Sequence, residues 1–213
     1  MRKLRTAVAL LNVCLLMVMA MGAFQTSAAE HRFPDMAGHW AQEYVNALAT
    51  DGVISGMPDG NFHPGDEVTT CQFVAMLLRG YFGGIAPTGG HWASGYMDKA
   101  LELEVISELD AVNVDDPLPR RYAARIGYDA LVNILGEPDE ADVSAAEVLV
   151  DLYACRSCVG YISQFYTKGI MVGYPDSNFY GQYTLTRAEA AVIVAKILNP
   201  SLRNPQVAPG TPK

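Results

Sequence analysis

Two kinds of residue in this 213-residue chain could do chemistry: a close cysteine pair, and arginines set at the starts of helices. Cys155-Arg156-Ser157-Cys158 suits thiol–disulfide exchange, half of a zinc site, or a local disulfide. Exchange chemistry needs the pair at a helix N-terminus in a strand-rich setting, and no strand pattern flanks it. Zinc needs two further ligands, and no second Cys or His pair occurs. A local disulfide or two reduced thiols is the expectation, with Cys71 then unpaired. Arg187 lies between Thr186 and Glu189, in the first turn of an expected helix. There a guanidinium can fork onto a carboxylate while free backbone N–H groups attract the same anion. Pairing with Glu189 or another surface acid is the competing reading. His39-Trp40 and His91-Trp92 repeat one motif. No second ligand is spaced near either histidine, so a capping role is expected over a metal. The helical spacing after each Trp favours a core anchor. Asp59 and Asp176 sit in turn-rich loops, where Asp most often shapes the turn.

These side chains are positioned by an internal repeat. Tyr44–Arg79 aligns with Tyr161–Lys196 at a constant offset of 117, without a gap. Gly52-Val53-Ile54 matches Gly169-Ile170-Met171, Gly56-Met57-Pro58-Asp59 matches Gly173-Tyr174-Pro175-Asp176, and Val68-Thr69 matches Leu185-Thr186. A second copy lies between them. It repeats Gly38-His39-Trp40-Ala41 as Gly90-His91-Trp92-Ala93, then loses the Gly-x-Pro-Asp turn before Leu118-Pro119-Arg120. Each unit reads as helix, loop, helix. Trp40, Tyr44, Val45 and Leu48 make one apolar face, Gly52 a stop, and Gly56–Pro64 a tight loop. Thr69 or Thr70 caps the next helix, and Thr186 with Glu189 has capping-box spacing. A two-helix unit cannot bury both apolar faces alone, so three must stack. The fold class is therefore all-α: three helix-loop-helix repeats packed as a pseudo-threefold assembly. The repeats span 30–80, 81–136 and 137–198. Residues 143–152 could start another helix, and the Pro-rich tail 199–213 is expected to be flexible.

Residues 1–29 read as a secretory signal: Arg2, Lys3 and Arg5 precede an apolar run, and Ser27-Ala28-Ala29 forms a cleavage site. Nothing after Glu30 is long and apolar enough to span a bilayer. The formal net charge is −8, and removing the leader's three basic residues makes the remainder more acidic. Such a field repels nucleic acid, so an anionic partner must be held by local basic spots.

Phe33-Pro34-Asp35, His39-Trp40-Ala41, the run Gly52–Pro64 and Leu185-Thr186-Arg187-Ala188-Glu189 together resemble S-layer homology repeats. The resemblance covers about residues 33 to 198. It implies a three-pronged arrangement that holds a secreted protein at the cell surface, cell wall or S-layer. The implied ligand is secondary cell-wall polysaccharide, often pyruvylated, bound in grooves between repeats. The implied ligand-binding residues are Arg187, Arg120, Trp40, Trp92, Asp59, Gly60 and Asp176, with no cofactor, no metal and no catalysis. The chain departs from the pattern in three places. Thr70 stands at the first box arginine, Tyr122 replaces the box Glu of the second repeat, and Ser157 stands where Trp40 and Trp92 would recur. A groove can still be complete if it draws Arg from one repeat and Trp from another. Arg187→Ala is then expected to weaken wall binding with little effect on folding. Two alternatives stand beside wall attachment. One is a structural envelope component, or a partner for another envelope protein, that has lost polymer binding. The other is a thiol oxidoreductase working through Cys155 and Cys158.

Overall fold

The computed structural model describes residues 32–207; the expected signal segment lies outside them. Among the described residues there are six α-helices: α1 Gln42–Thr50, α2 Thr70–Phe82, α3 Ser94–Glu102, α4 Arg120–Asn133, α5 Val159–Thr167 and α6 Arg187–Leu198. No helix among them is long and apolar enough to cross a membrane. Each repeat contributes a short first helix and a longer second one.

The second helices begin where the sequence places caps. Thr69 caps α2 with Gln72 reaching back, and Thr186 caps α6 with Glu189 in the same box. Pro119 precedes α4 with no side-chain cap. All three also have their first free N–H groups filled by the loop of another repeat. Thr70 and Cys71 donate to the carbonyls of Asp116 and Val114; Arg120 and Arg121 to Tyr183 and Gly181; Arg187 and Ala188 to Asp66 and Pro64.

The repeats close in a cycle. Just ahead of the three helices, Val68 N–H donates to Leu185 (2.9 Å), Leu185 to Leu118 (3.0 Å), and Leu118 to Val68 (2.9 Å). All three side chains are buried. The helix pairing is cyclic too. Helix α1 packs on α6, α3 on α2 and α5 on α4, while α2, α4 and α6 meet one another. A first helix thus rests on the second helix of the preceding repeat. The repeat is a helix-loop-helix unit along the chain, but its two helices find their main partners elsewhere. The core joins Phe62, Phe73, Phe165, Phe179, Leu77 and Ile126, drawn from all three repeats.

Two outer segments differ from expectation. Residues 143–152 form a 3-10 turn, Ser144–Val148, and a second turn follows at Leu152–Ala154. The tail is not free over its first part. Arg203 makes a two-pronged pair with Glu137 (2.6 and 2.9 Å) and donates to the Lys196 carbonyl, and Gln206 N–H donates to Thr167. Docking is possible because Gly169, at φ +69°, offers no side chain where the Asn204 backbone passes.

Because Leu185 belongs to the closing triad and is fully buried, Leu185→Ala should cost about 2–5 kcal/mol. Chemical denaturation should show all three repeats unfolding in one less stable transition.

Candidate functional site

In the first and third repeats the loop that follows the first helix is clamped by one carboxylate. Asp35 accepts the N–H groups of Phe62 (2.9 Å) and His63 (2.6 Å). Asp151 accepts those of Phe179 (2.7 Å) and Tyr180 (2.8 Å). The clamped residues His63 and Tyr180 both have positive φ, 58° and 54°, which costs backbone strain that the paired bonds offset. Asp151 was not singled out from sequence. Its separation from Asp35 is 116, one short of the repeat offset, so a gapless alignment passes over it. The signal was present in its neighbours: Leu149 and Leu152 are buried beside Asp151 as Phe33 and Met36 are beside Asp35.

Asp59, Gly60 and Asp176 shape these loops. Asp59 accepts the Asn61 N–H (3.0 Å) and pairs with His63 (2.7 Å), and the Asn61 and His63 bonds hold its carboxyl below the usual range. Gly60, at φ +84°, closes a turn onto the Met57 carbonyl. Asp176 accepts from the Tyr180 hydroxyl and the Asn178 N–H.

The clamped loops present their carbonyls to the box arginines. Arg187 Nε donates to the Phe62 carbonyl (2.9 Å), with its guanidinium 4.8 Å from the Phe62 ring centre. Arg120 repeats the contact at the next seam: Nε donates to Phe179 (3.0 Å), and the guanidinium lies over the Phe179 and Tyr174 rings. Both side chains are more than nine-tenths buried, and burial lowers both pKa values. Arg187 therefore has a structural job that its place in the sequence did not reveal, and Arg187→Ala should disturb folding. Neither arginine meets the expected surface acid simply. Arg187 makes no ion pair among the described residues. Arg120 makes a loose one, 3.5 Å from Glu189.

The expected core role for the tryptophans is overturned. Trp40 is 63% exposed and Trp92 is 48% exposed. The preceding His39 and His91 accept the N–H groups of Ala41 and Ala93 through Nδ1 (3.2 Å each). Ala41 and Ala93 take the buried positions, which turns each indole outward into a groove.

Three grooves in corresponding positions result, two of them built by all three repeats and one by the first and second. The Arg187 groove (about 250 Å³) combines Arg187 of the third repeat, Ile54–Met57 and Arg79 of the first, and Trp92 of the second. The Arg120 groove (about 230 Å³) combines Arg120 of the second, Ile170–Tyr174 and Lys196 of the third, and Trp40 of the first. The third has Thr70 in the arginine position, with Ser107, Asp110, Tyr122 and Arg125 around it. Its one central cation is consumed, because Arg125 contacts Asp110 (2.6 Å) and Asp129 (3.1 Å). The Thr70 substitution and the missing Gly-Asp loop of the second repeat therefore converge on a single groove. Asp59, Gly60 and Asp176 are not among the lining residues of any of the three.

The two arginine grooves differ electrically. Among the described residues only Nε of Arg187 has a hydrogen-bond partner, which leaves its two terminal nitrogens for the groove, and no carboxylate among them lines that groove. Arg120 spends all three nitrogens, on Phe179, Val172 and Glu189.

Two stretches of the chain match the S-layer homology domain, residues 32–69 and 153–191. The matched stretches are the first and third repeats. The middle repeat, which lost the loop, is joined to them by the fold. The chain is also similar to an amylopullulanase of Thermoanaerobacterium thermosulfurigenes, 26% identical across 79% of this chain and 10% of that protein. An exoglucanase of Acetivibrio thermocellus shows 26% identity across 79% of this chain and 16% of its own length. A surface layer protein of Brevibacillus choshinensis is 28% identical over 48% of this chain and 8% of its own. The chain thus spans a small part of these much longer relatives.

Cys155 and Cys158 form a disulfide with Cα atoms 5.2 Å apart, and Cys158 takes the buried place of Ala41 and Ala93. Cys71 is buried and unpaired, and it lies with His91 and Asp115 in a cluster that no sequence spacing announced. Burial pushes its thiol pKa up to about 11, the wrong direction for a nucleophile.

Burial also pushes Asp129, beside the Thr70 groove, up to about 6, against the pull of Arg125. A carboxyl whose folded pKa lies above its unfolded value of 3.8 loses stability as pH rises between the two. Asp129→Asn should therefore stabilise the fold by about 1 kcal/mol at pH 7, with the Arg125 bond lost in the exchange. The gain should vanish near pH 4, and denaturation midpoints at the two pH values check it.

Proposed function

We propose that the chain attaches to the bacterial cell envelope by gripping an acidic saccharide of the wall polymer, chiefly in the Arg187 groove. The likeness to surface-layer proteins and to a cellulosome-anchoring protein of Acetivibrio thermocellus supports the envelope part of this reading. One observation carries the finer part: a guanidinium with two terminal nitrogens free of protein partners, the loop Ile54–Met57 and an exposed indole converge in one cleft without a carboxylate. An anion fixed on a sugar ring, such as a pyruvyl ketal, would meet the terminal nitrogens of Arg187 as paired bonds. Trp92 would cover the apolar ring face while its indole N–H meets a hydroxyl. The cleft is smaller than the roughly 300–1,000 Å³ of pockets for drug-sized ligands, so it suits one terminal sugar unit. Asp59, Gly60 and Asp176 serve by holding the loops in shape.

The Arg120 groove has the same parts, but all three nitrogens of its guanidinium already have protein partners and Glu189 lines the groove. It is the weaker site in this reading, and the Thr70 groove takes no anion.

Because both indoles are exposed, their removal should leave the fold intact. Trp92→Ala should reduce retention on purified wall sacculi about tenfold or more, Trp40→Ala less, and Thr70→Ala not at all. Retention should disappear when the polysaccharide is stripped from the sacculi. Equal binding by all three variants would remove the indoles from the site, and a parent chain that is not retained, or is retained equally on stripped sacculi, would leave the second reading, a structural component that has lost polymer recognition.

A further inference from the structure

We propose that Cys71, His91 and Asp115 form a zinc site that staples the first repeat to the second. The three side chains come from separate places: Cys71 is the second residue of α2, His91 precedes α3, and Asp115 lies in the loop before α4. Cys71 Sγ is 3.3 Å from Asp115 Oδ1, and His91 Nε2 is 3.3 Å from the same oxygen. All three donor atoms lie within 4.8 Å of one another. A tetrahedral zinc ion with ligands at about 2.0–2.3 Å has donor–donor edges of about 3.3–3.7 Å, so two of the three edges already have that length. A thiolate, an imidazole and a carboxylate are a zinc donor set, and water completes the fourth position.

The other two seams show that this chemistry is not required by the packing. Cys71, Arg121 and Ala188 hold the same position: each N–H donates to the neighbouring loop, at Val114, Gly181 and Pro64. The residue after each of those acceptors is Asp115, Gln182 or Gly65. The seam closed by Ala188 and Gly65 needs neither thiol nor carboxylate, although His39 stands there with the same backbone bond as His91. The thiol and carboxylate are thus additions at one seam. It is also the seam where Thr70 replaces the arginine that, at the other two, ties a helix start to the Phe62 or Phe179 carbonyl. A bound ion would supply the missing cross-link.

Binding displaces the thiol proton to solvent. The His91 proton moves through solvent from Nε2 to Nδ1, breaking the Nδ1 bond from Ala93. One proton is released per ion at neutral pH.

The test uses the full chain, purified metal-free and without reductant so that the Cys155–Cys158 disulfide stays closed. Cobalt(II) is the spectroscopic probe. Expected are one equivalent bound, a near-ultraviolet sulfur-to-cobalt band, displacement of that band by zinc, and a rise in Tm with zinc. Cys71→Ser should remove the band. Asp115→Asn, an exposed change that keeps the side-chain shape, should weaken binding at least tenfold and cancel the Tm rise, as should His91→Ala. A folded parent that shows no band would overturn the site. So would a band that survives Cys71→Ser, or one bound as tightly in both Asp115→Asn and His91→Ala.

Discussion

The ring of backbone hydrogen bonds among Val68, Leu118 and Leu185 is the constraint on which everything else rests. Each strand-like residue gives its N–H to the preceding repeat, and the first closes the cycle by donating to the third. In a buried setting none of these groups has water as a substitute, so the ring holds only if all three repeats are present. The ring also fixes where α2, α4 and α6 begin. Once those helix starts surround one axis, each must face the loop of a neighbouring repeat, and the grooves follow from that.

The same cycle explains why a degraded middle repeat is tolerated. The second repeat has no Gly-x-Pro-Asp loop, yet its Arg120, Trp92 and α4 are used in full. Its arginine serves one groove and its tryptophan another, because no groove belongs to a single repeat. The losses at Thr70 and in the 106–113 loop land together in the third groove, where Asp110 and Asp129 have taken over the only central arginine. The departures of Thr70 and the 106–113 loop from the repeat pattern therefore meet at one seam. The electrostatic contrast between grooves is local, and the acidic overall charge does not predict it.

Arginine at the first helical position has a double role that decides how its variants must be read. Arg187 is buried against Phe62 and holds a loop by its carbonyl, while its outer nitrogens remain in the groove. Removing it exposes an unmet carbonyl as well as an anion site. The exposed indoles separate binding from stability, since they touch the groove and contribute little to the core.

Local chemistry was legible along the chain: the capping box at Thr186, a threonine cap at Thr69 or Thr70, the stop at Gly52, the tight-turn loop Gly56–Pro64 and the threefold all-α repeat. Each depends on residues within a few positions of one another, or on a pattern repeated without a gap. The sequence also suggested that Arg and Trp could be shared between repeats, but not which pairs. What only the tertiary structure decided are relations across the axis. It turned Trp40 and Trp92 outward, because Ala41 and Ala93 fill the core beneath them. It showed Asp151 as the counterpart of Asp35, hidden by one missing residue, and docked Arg203 on Glu137 in a tail whose prolines read as flexible. It brought Cys71 to His91 and Asp115. These contacts span 20 to 66 positions, and side-chain type carries no record of a partner that only the closing of the ring brings near.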